Sequence, residues 1–295
     1  MKIIFIGIAV VLMFFIIFIF LGIAVSKRNM KKNKYDLLDY LEQNKDKLSI
    51  TLKENGQDTI LLNSEKEFPL ASTLKIIIAF TFVKSVTNNK ISITNIVELN
   101  KVDIFYIPNT DGGAHPNWKK SLNSSSEASL LEIAKGMMQF SSNACTDYLI
   151  NEVGVDVINQ SIEALKLNHD RITYLTPPIL IPGYLSNKRS VAINKLEEMD
   201  KQSYQELSQE LFEKMKADET SSLERIASKM LNQKMQLLIT NKTTSSTTKQ
   251  YADLMFRLGK ELLTQKEKEL FSEILIGKNS KDDFFGLKVD LLCLF

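Results

Sequence analysis

The chain has 295 residues, of which 44% are hydrophobic, and its 37 basic and 35 acidic side chains leave a formal net charge of +2. This length is enough for one sizeable core. The near-neutral charge argues against a nucleic-acid partner, and so does the lack of a basic stripe interleaved with aromatic residues. The two cysteines, Cys145 and Cys293, lie far apart and favour a free buried thiol over a disulfide.

The first apolar segment covers residues 3–25, which carry no charge and are long enough to cross a bilayer as one helix. It lacks the short core and the cleavage site of a secretory signal. We therefore expect a transmembrane anchor over residues 1–26 and a basic juxtamembrane linker over residues 27–35. The basic flank favours a cytoplasmic C-terminal side, although long domains translocate largely regardless of charge.

Two strand patterns follow, at residues 48–53 and 59–63, and the turn between them contains Gly56. They predict a β-hairpin. Helical patterns dominate from Ser72 onward and include a helical pair at 248–276. A hairpin followed by helices, with strands that return to the sheet, is typical of an α+β fold.

Ser72-Thr73-Leu74-Lys75 opens an apolar run that extends to Phe80. Serine suits the first turn of a helix, and a run that is apolar all round predicts a buried helix. Residues three apart share a helix face, and burial lowers the proton affinity of a lysine. The pattern predicts Ser72 as a nucleophile and Lys75 as the base for its hydroxyl.

Ser141-Ser142-Asn143 is the second motif, and it lies between helical patterns at 128–140 and 144–150. Such a short connection can present side chains to a cleft. Each motif alone is weak, since Ser-x-x-Lys recurs at 246–249. The alternative for the second motif is a serine helix cap beside a surface asparagine. Order and context together favour the functional interpretation.

On these motifs the chain resembles the class A β-lactamases and the related penicillin-recognising serine D,D-peptidases, whose signatures are Ser-x-x-Lys, Ser-Asp-Asn (or Ser-x-Asn) and Lys-Thr-Gly. The resemblance covers roughly residues 36–276, in pieces. It implies a β-lactamase-like serine hydrolase domain over 36–295 that forms an acyl-enzyme with β-lactams. In that role Ser72 would attack, Lys75 would act as base, Ser141 would relay a proton and Asn143 would bind the substrate amide.

The resemblance further implies a β-lactam or a cell-wall peptide as substrate and a place outside the cell, anchored in the cell membrane. We expect a monomer with no cofactor. A metal site is not expected either, because His115 and His169 lack ligand spacing and are predicted as loop residues. A Ser-His-Asp triad is not indicated, because no Gly-x-Ser-x-Gly elbow occurs.

The sequence departs from the family in the loop beyond the second motif. Class A enzymes carry a glutamate there that activates the water for release of the acyl group. Here the same distance reaches Thr176, followed by two prolines. A threonine hydroxyl is too weakly acidic to act as a general base near neutral pH. Acylation is therefore expected to be better preserved than release.

A second departure is the absence of Lys-Thr-Gly, which by the family's spacing would fall just past Phe295. Lys242-Thr243-Thr244 precedes a helical pattern and does not replace it. We interpret the chain as truncated or frame-shifted, without the C-terminal strands of the sheet. The hairpin would then present an unpaired edge, which predicts instability or aggregation.

Residues 183–240 are predicted to be a helical insertion. Apolar residues from Leu196 to Met215 recur at helical spacing and predict one amphipathic helix, and a capping box at Ser221–Glu224 predicts the start of another. The segment is interpreted as a packed helical hairpin, with a lid or a partner surface as the alternative.

Two hypotheses for the function remain open. One is a membrane-anchored acyl-transfer enzyme acting on β-lactams, with hydrolysis and antibiotic resistance as consequences, or acting as a D-alanyl-D-alanine peptidase. The other is a catalytically dead relative that binds cell-wall peptide. The two motifs favour the enzyme, and the missing glutamate and Lys-Thr-Gly favour the inactive relative.

Overall fold

A computed structural model describes residues 34–276 and 290–294 of the chain. Helices dominate these residues, and the strands form three small sheets. The elements in chain order are α1 (Lys34–Gln43), β1 (Ile50–Glu54), β2 (Gln57–Leu62), β3 (Phe68–Pro69), α2 (Lys75–Thr87), β4 (Ile96–Glu98), α3 (Leu99–Asp103), α4 (Ala114–Ser121), β5 (Glu127–Ser129), α5 (Leu130–Gln139), α6 (Asn143–Val153), α7 (Val155–Ala164), α8 (Ile181–Leu185), α9 (Arg189–Glu198), α10 (Lys201–Lys216), α11 (Ser221–Met230), α12 (Gln233–Lys242), β6 (Ser245–Ser246), α13 (Thr248–Arg257), α14 (Gln265–Ile276) and β7 (Asp290–Leu294).

The predicted hairpin is confirmed as β1 and β2, which pair antiparallel. Its two-residue turn consists of Asn55 and Gly56, both with positive φ (52° and 80°), as the tight turns that match strand twist require. Gly56 is also required by packing, because a Cβ at this position would lie 2.8 Å from the ring of Phe256 on α13.

The tail of the chain supplies a strand that returns to this sheet. β7 pairs antiparallel with β1 and gives the strand order β2-β1-β7. The expectation that the C-terminal strands are missing is therefore wrong for this strand, and β1 is not an unpaired edge. The physical reason is the apolar run from Leu291 to Leu294, whose length suits a paired strand.

Helix α2 lies at the centre of the core, as its apolar sequence predicts. Ile77, Ile78 and Phe82 have no exposed surface, and the helix packs against α5, α6, α7 and α14. Each such side chain contributes about 1.5–3 kcal/mol by leaving water. This burial fixes the position of the residues at the start of α2, which include Lys75.

Glu267 of α14 holds the other end of α2. Its carboxylate, 5% exposed, accepts hydrogen bonds from Lys84 Nζ (2.9 Å) and Thr87 Oγ1 (3.0 Å) of α2 and from the backbone N–H of Thr264 (2.7 Å). Burial alone would raise the pKa of Glu267, but these donors lower it to about 2. Both ends of α2 are therefore tied to neighbouring elements.

Residues 183–240 form helices around a second apolar cluster, which includes Leu196, Tyr204 and Met230. The prediction of one helix from 196 to 215 is wrong, because α9 ends at Glu198 and the Asp200 carboxylate caps α10 by accepting the Ser203 N–H. The predicted capping box at Ser221–Glu224 is wrong, because the helix has its N-cap one residue earlier and that residue makes no side-chain cap hydrogen bond. Thr220 is the N-cap of α11, and its hydroxyl donates to Glu224.

The chain divides into two units, residues 1–48 and 49–295, and α1 belongs to the first. In the part of the chain that the structure describes, no helix is both long enough and apolar enough to cross a membrane. The predicted anchor at residues 3–25 lies outside the described residues. That prediction, and the interpretation of residues 183–240 as an insertion, stay predictions.

Candidate active site

Ser72 lies on the 3-10 turn Ala71–Leu74 that leads directly into α2, and the residue is exposed. Ala71 before it has a positive φ of 45°, which costs a residue with a Cβ about 1–2 kcal/mol. Such strain persists only where the surroundings enforce it. Here the Leu70 N–H donates to the Thr244 carbonyl, and β3 pairs with β6 just before the turn.

Lys75 is the first residue of α2 and is 1% exposed. Burial lowers its pKa from 10.5 to about 8, and the opposing effect of the nearby carboxylates of Asp147 and Asp111 is smaller. Near pH 8 a substantial fraction of the molecules therefore holds a neutral amine, which is the form that can accept a proton.

The Ser141–Asn143 turn joins α5 to α6 and surrounds the Lys75 amine. Lys75 Nζ donates to the Ser141 carbonyl (2.8 Å), to Ser141 Oγ (3.0 Å) and to Asn143 Oδ1 (3.1 Å). Ser141 has a positive φ of 64°, so this second strained residue also lies in the site. The turn is held from within α5, since the Ser142 N–H donates to the Gly136 carbonyl.

Gly136 explains how α5 comes close enough to accept that hydrogen bond. A Cβ at Gly136 would lie 2.7 Å from Cys145 Sγ and 2.7 Å from Trp118 Nε1. Real Cβ atoms do not approach other heavy atoms so closely, so only glycine permits this contact between α5 and α6. Trp118 is fully buried and donates to the Glu132 carbonyl, so it belongs to the core.

A continuous hydrogen-bonded path joins the predicted nucleophile, Ser72, to the predicted base, Lys75. Ser72 Oγ and Ser141 Oγ are 2.8 Å apart, and Ser141 Oγ accepts from Lys75 Nζ at 3.0 Å. In the described residues no hydrogen bond joins the Ser72 hydroxyl directly to the Lys75 amine, although the sequence led us to expect one between side chains a turn apart; the two residues are joined only through the backbone, where the Lys75 N–H donates to the Ser72 carbonyl. The physical reason is that the lysine amine points to the three acceptors of the second motif.

Asp147 is a buried residue of the site that the sequence analysis missed. Its Oδ1 accepts the Leu175 N–H (2.6 Å) and its Oδ2 accepts the Thr176 N–H (2.8 Å). Burial raises its pKa from 3.8 to about 6, and these donors and Lys75 act in the opposite direction. The signal was available, because Asp147 follows Asn143 by four residues and shares its helix face. Asp147 thus holds the backbone of the loop that carries Thr176.

His115 was also missed, because it was predicted as a loop residue. It lies on α4 and is 1% exposed, with Nδ1 3.0 Å from Ser142 Oγ and Nε2 2.8 Å from Asp103 Oδ1. The set resembles a catalytic triad in composition only. Ser142 is fully buried, and its hydroxyl meets Nδ1, whereas a catalytic serine meets Nε2.

Candidate ligands for a metal do not cluster in residues 34–276, where no three His, Cys, Asp or Glu side chains are placed to hold an ion. Cys145 is a free thiol buried against α5, and burial raises its pKa far above the usual value. A protonated thiol of this kind packs as a small apolar group.

Comparison with solved structures shows the β-lactamase-like fold. TLA-3, an extended-spectrum β-lactamase, is 17% identical, and the match covers 84% of this chain and 69% of that one with a TM-score of 0.51. A class A β-lactamase representative from Bacteroides cellulosilyticus DSM 14838 is 15% identical, with 81% and 68% covered and a TM-score of 0.50. A PBP-A mutant, solved as an acyl-enzyme complex with penicillin G, is 15% identical, with 85% and 72% covered and a TM-score of 0.48.

No curated protein sequence matches the chain significantly. The family model described as "Beta-lactamase enzyme family" does match it, over residues 32–290. That range includes both serine motifs, the loop whose backbone Asp147 holds, and the helices from α8 to α12. The chain therefore belongs to the β-lactamase enzyme family.

Proposed function

We propose that this protein is a serine hydrolase that forms an acyl-enzyme with β-lactams at Ser72. The observation that carries the proposal is the path from Ser72 Oγ through Ser141 Oγ to the buried Lys75 amine, with separations of 2.8 and 3.0 Å. An exposed hydroxyl connected to an amine of lowered pKa is the arrangement that activates a serine nucleophile.

The proposed reaction uses this geometry. Ser72 Oγ attacks the lactam carbonyl carbon while its proton passes to Ser141 Oγ, and Ser141 gives its own proton to the neutral Lys75 amine. The carbonyl oxygen becomes an oxyanion, which the Ser72 N–H stabilises as one half of an oxyanion hole. When the C–N bond breaks, Lys75 returns a proton through Ser141 to the leaving nitrogen. Asn143 holds the substrate amide.

Release of the acyl group is proposed to be slow. Asp147 fixes the Leu175–Thr176 backbone, but it is fully buried and its oxygens are occupied by two backbone donors. Thr176 offers only a hydroxyl, which is a poor general base. This observation favours a second candidate function, a penicillin-binding protein or a D-alanyl-D-alanine peptidase-like enzyme that turns over β-lactams poorly.

The test is intact-protein mass spectrometry of the full chain after incubation with benzylpenicillin. We expect one covalent adduct that persists for many minutes, is lost in Ser72→Ala and is retained in Ser126→Ala, a control at an exposed serine. An unmodified mass with no drug consumed would contradict the proposed enzyme and leave a binding role for cell-wall peptide. Rapid drug consumption without an adduct would contradict slow release.

The place in the cell is part of the proposal. We propose that residues 3–25 anchor the chain in the cell membrane with the hydrolase domain outside, where β-lactams and wall peptides are met. The support is the apolar sequence of that segment. Protease treatment of intact cells tests the orientation: the domain is expected to be cleaved, and protection until lysis would contradict it.

A further inference from the structure

His115 lies between a partly exposed carboxylate and the second motif. On one side the imidazole contacts Oδ1 of Asp103, the last residue of α3. The other carboxylate oxygen of Asp103 accepts a hydrogen bond from Lys119 at 2.6 Å. On its other side the imidazole contacts Ser142, the N-cap of α6. Ser142 stands between Ser141 and Asn143, the two residues whose oxygens surround the Lys75 amine.

The imidazole is fixed in orientation as well as in position. The rings of Tyr106 and Trp118 lie on it, with centroid distances of 4.7 and 5.3 Å. The backbone N–H of His115 donates to Asp111 Oδ2 at 2.8 Å. A side chain packed on two rings and held at its own backbone loses little entropy when it forms a hydrogen bond.

The hydrogen bonds define a direction for the network. Although burial alone would raise the pKa of Asp103, the bonds from His115 and Lys119 lower it, so it accepts as a carboxylate. His115 Nε2 therefore carries a proton, which it donates to this carboxylate. Nδ1 forms the second hydrogen bond of the ring, with Ser142 Oγ at 3.0 Å, and the Ser142 oxygen also accepts the Cys145 N–H at 3.2 Å.

With this bond every polar group of Ser142 has a partner. Its N–H donates to Gly136, and its carbonyl accepts from the N–H and the hydroxyl of Thr146. The strained Ser141 directly precedes it, with a φ of 64°. A strained residue keeps its conformation only when its neighbours are held firmly. Loss of the His115 bond would leave the Ser142 hydroxyl with the Cys145 N–H as its remaining partner, beside this strained residue.

We propose that His115 is a positioning residue for acyl transfer, which holds Ser141 and Asn143 against Lys75 by fixing Ser142. Asp103 and Lys119 serve it by setting the imidazole tautomer. The inference rests on the proposed function for its effect on the reaction, but the positioning itself is a property of the free protein. It can therefore be measured without a substrate.

A pair of matched substitutions in the full chain separates the two sides of the imidazole. The amide of Asn reaches the place of Nδ1, so His115→Asn keeps a partner for Ser142 and loses Asp103. The amide of Gln reaches the place of Nε2, so His115→Gln keeps Asp103 and loses Ser142. Ser142→Ala removes the bond from the other side, together with the helix cap on the Cys145 N–H, and His169→Gln is the control at the other histidine.

Two readouts are expected to agree. The Lys75 pKa, followed by NMR of lysine labelled at Cε, is expected to fall in His115→Gln and in Ser142→Ala, because hydrogen bonds to a charged amine favour its protonated form. The rate of acylation by benzylpenicillin is expected to fall about 10- to 100-fold in the same two variants, as small displacements of catalytic groups do. His115→Asn and the control are expected to stay near the original protein in both.

Equal effects in His115→Asn and His115→Gln would overturn the proposal, since they would indicate general loss of packing. So would a folded His115→Gln or Ser142→Ala protein with an unchanged Lys75 pKa. If the original protein is not acylated at all, the proposed function fails, while the NMR measurement still decides whether His115 positions the turn. If His115→Gln does not fold, Ser142→Ala carries the same test.

Discussion

The Ser141–Asn143 turn and the Leu175–Thr176 segment are both held by helix α6, but in opposite ways. The turn begins the helix and directs its carbonyl and side-chain oxygens to the Lys75 amine. The loop segment is held through its backbone N–H groups, which donate to Asp147 of the same helix. The turn therefore supplies groups to the proposed reaction, whereas the loop segment is held in position but brings no acid or base to it.

This difference indicates how the two halves of a hydrolytic cycle can be lost separately. The proposed acylation depends on side chains at four positions, so each of them is expected to be sensitive to replacement. The loop geometry depends on Asp147 and on backbone groups that every non-proline residue has. These two hydrogen bonds do not depend on the identity of the side chain at 176, although that side chain is itself buried.

The largest effect is expected at Lys75. Lys75→Met removes the amine while it keeps a long unbranched side chain, and we expect acylation to slow about 10³-fold, within the range for loss of a general base. Stopped-flow labelling with a fluorescent penicillin measures the rate. The unfolding temperature should change by less than about 5 °C, because a buried amine is removed and an apolar group takes its place. Lys90→Met is the surface control, and an unchanged acylation rate in Lys75→Met would contradict a role for the Lys75 amine in acylation.

A smaller effect is expected from pH. Because burial lowers the Lys75 pKa to about 8, the neutral base is lost as the pH falls below that value. Acylation is then expected to slow about 50-fold between pH 8 and pH 6. A flat profile over this range would contradict a role for Lys75 as the base.

The lowered pKa of Lys75 also affects stability. Between pH 8 and pH 10.5 the unfolded chain binds more protons at this residue than the folded chain does, so the contribution of Lys75 to stability increases with pH.

Much of the site could be predicted from the sequence, because each motif carries its reactive residues on one short stretch of chain. Ser72 with Lys75, and Ser141 with Asn143, needed only helix spacing and one turn between helices. His115 could not be predicted, since its partners at 103 and 142 approach it only after α3, α4 and α6 have packed. The hydrogen-bonded path from Ser72 through Ser141 to Lys75 could not be predicted either, because residue spacing does not determine where the side chains point.

The fold shows the same limit. The hairpin and the buried helix α2 followed from local patterns. The pairing of β7 with β1 is set by tertiary contact between distant segments, and the break at Asp200 depended on a local cap that competes with the apolar period.

The loop can be given the group it lacks. Thr176→Glu is expected to shorten the lifetime of the acyl-enzyme about tenfold or more, because a carboxylate can activate water for release. Thr176→Gln has nearly the same shape without the charge and is the matched control. Time-resolved mass spectrometry follows the adduct. Equal lifetimes of the acyl-enzyme in the two variants would mean that position 176 does not face the ester. The missing base at this position would then not explain slow release.

The smallest effect on acylation is expected at Asp147. Asparagine can accept only one of the two loop N–H groups well, so Asp147→Asn should lower the free energy of unfolding by about 1–3 kcal/mol and leave acylation nearly unchanged. Urea titration measures the free energy of unfolding, with the exposed Asp218→Asn as control.

Since the Asp147 pKa is raised from 3.8 to about 6, this residue makes stability fall as pH rises through that window. The variant is expected to lose that slope, and an unchanged slope would contradict the assignment.

The pairing of β7 with β1 joins residue 294 to residue 50, and it therefore sets an order of events in time. A chain folds from its N-terminal side as it is made, and contacts between distant residues form late. The hairpin and the helices around α2 can assemble while one side of β1 still has free backbone donors and acceptors. During that interval β1 is a template for strands of other chains. The yield of folded protein should then depend on its concentration during refolding, even though β1 is fully paired in the native state.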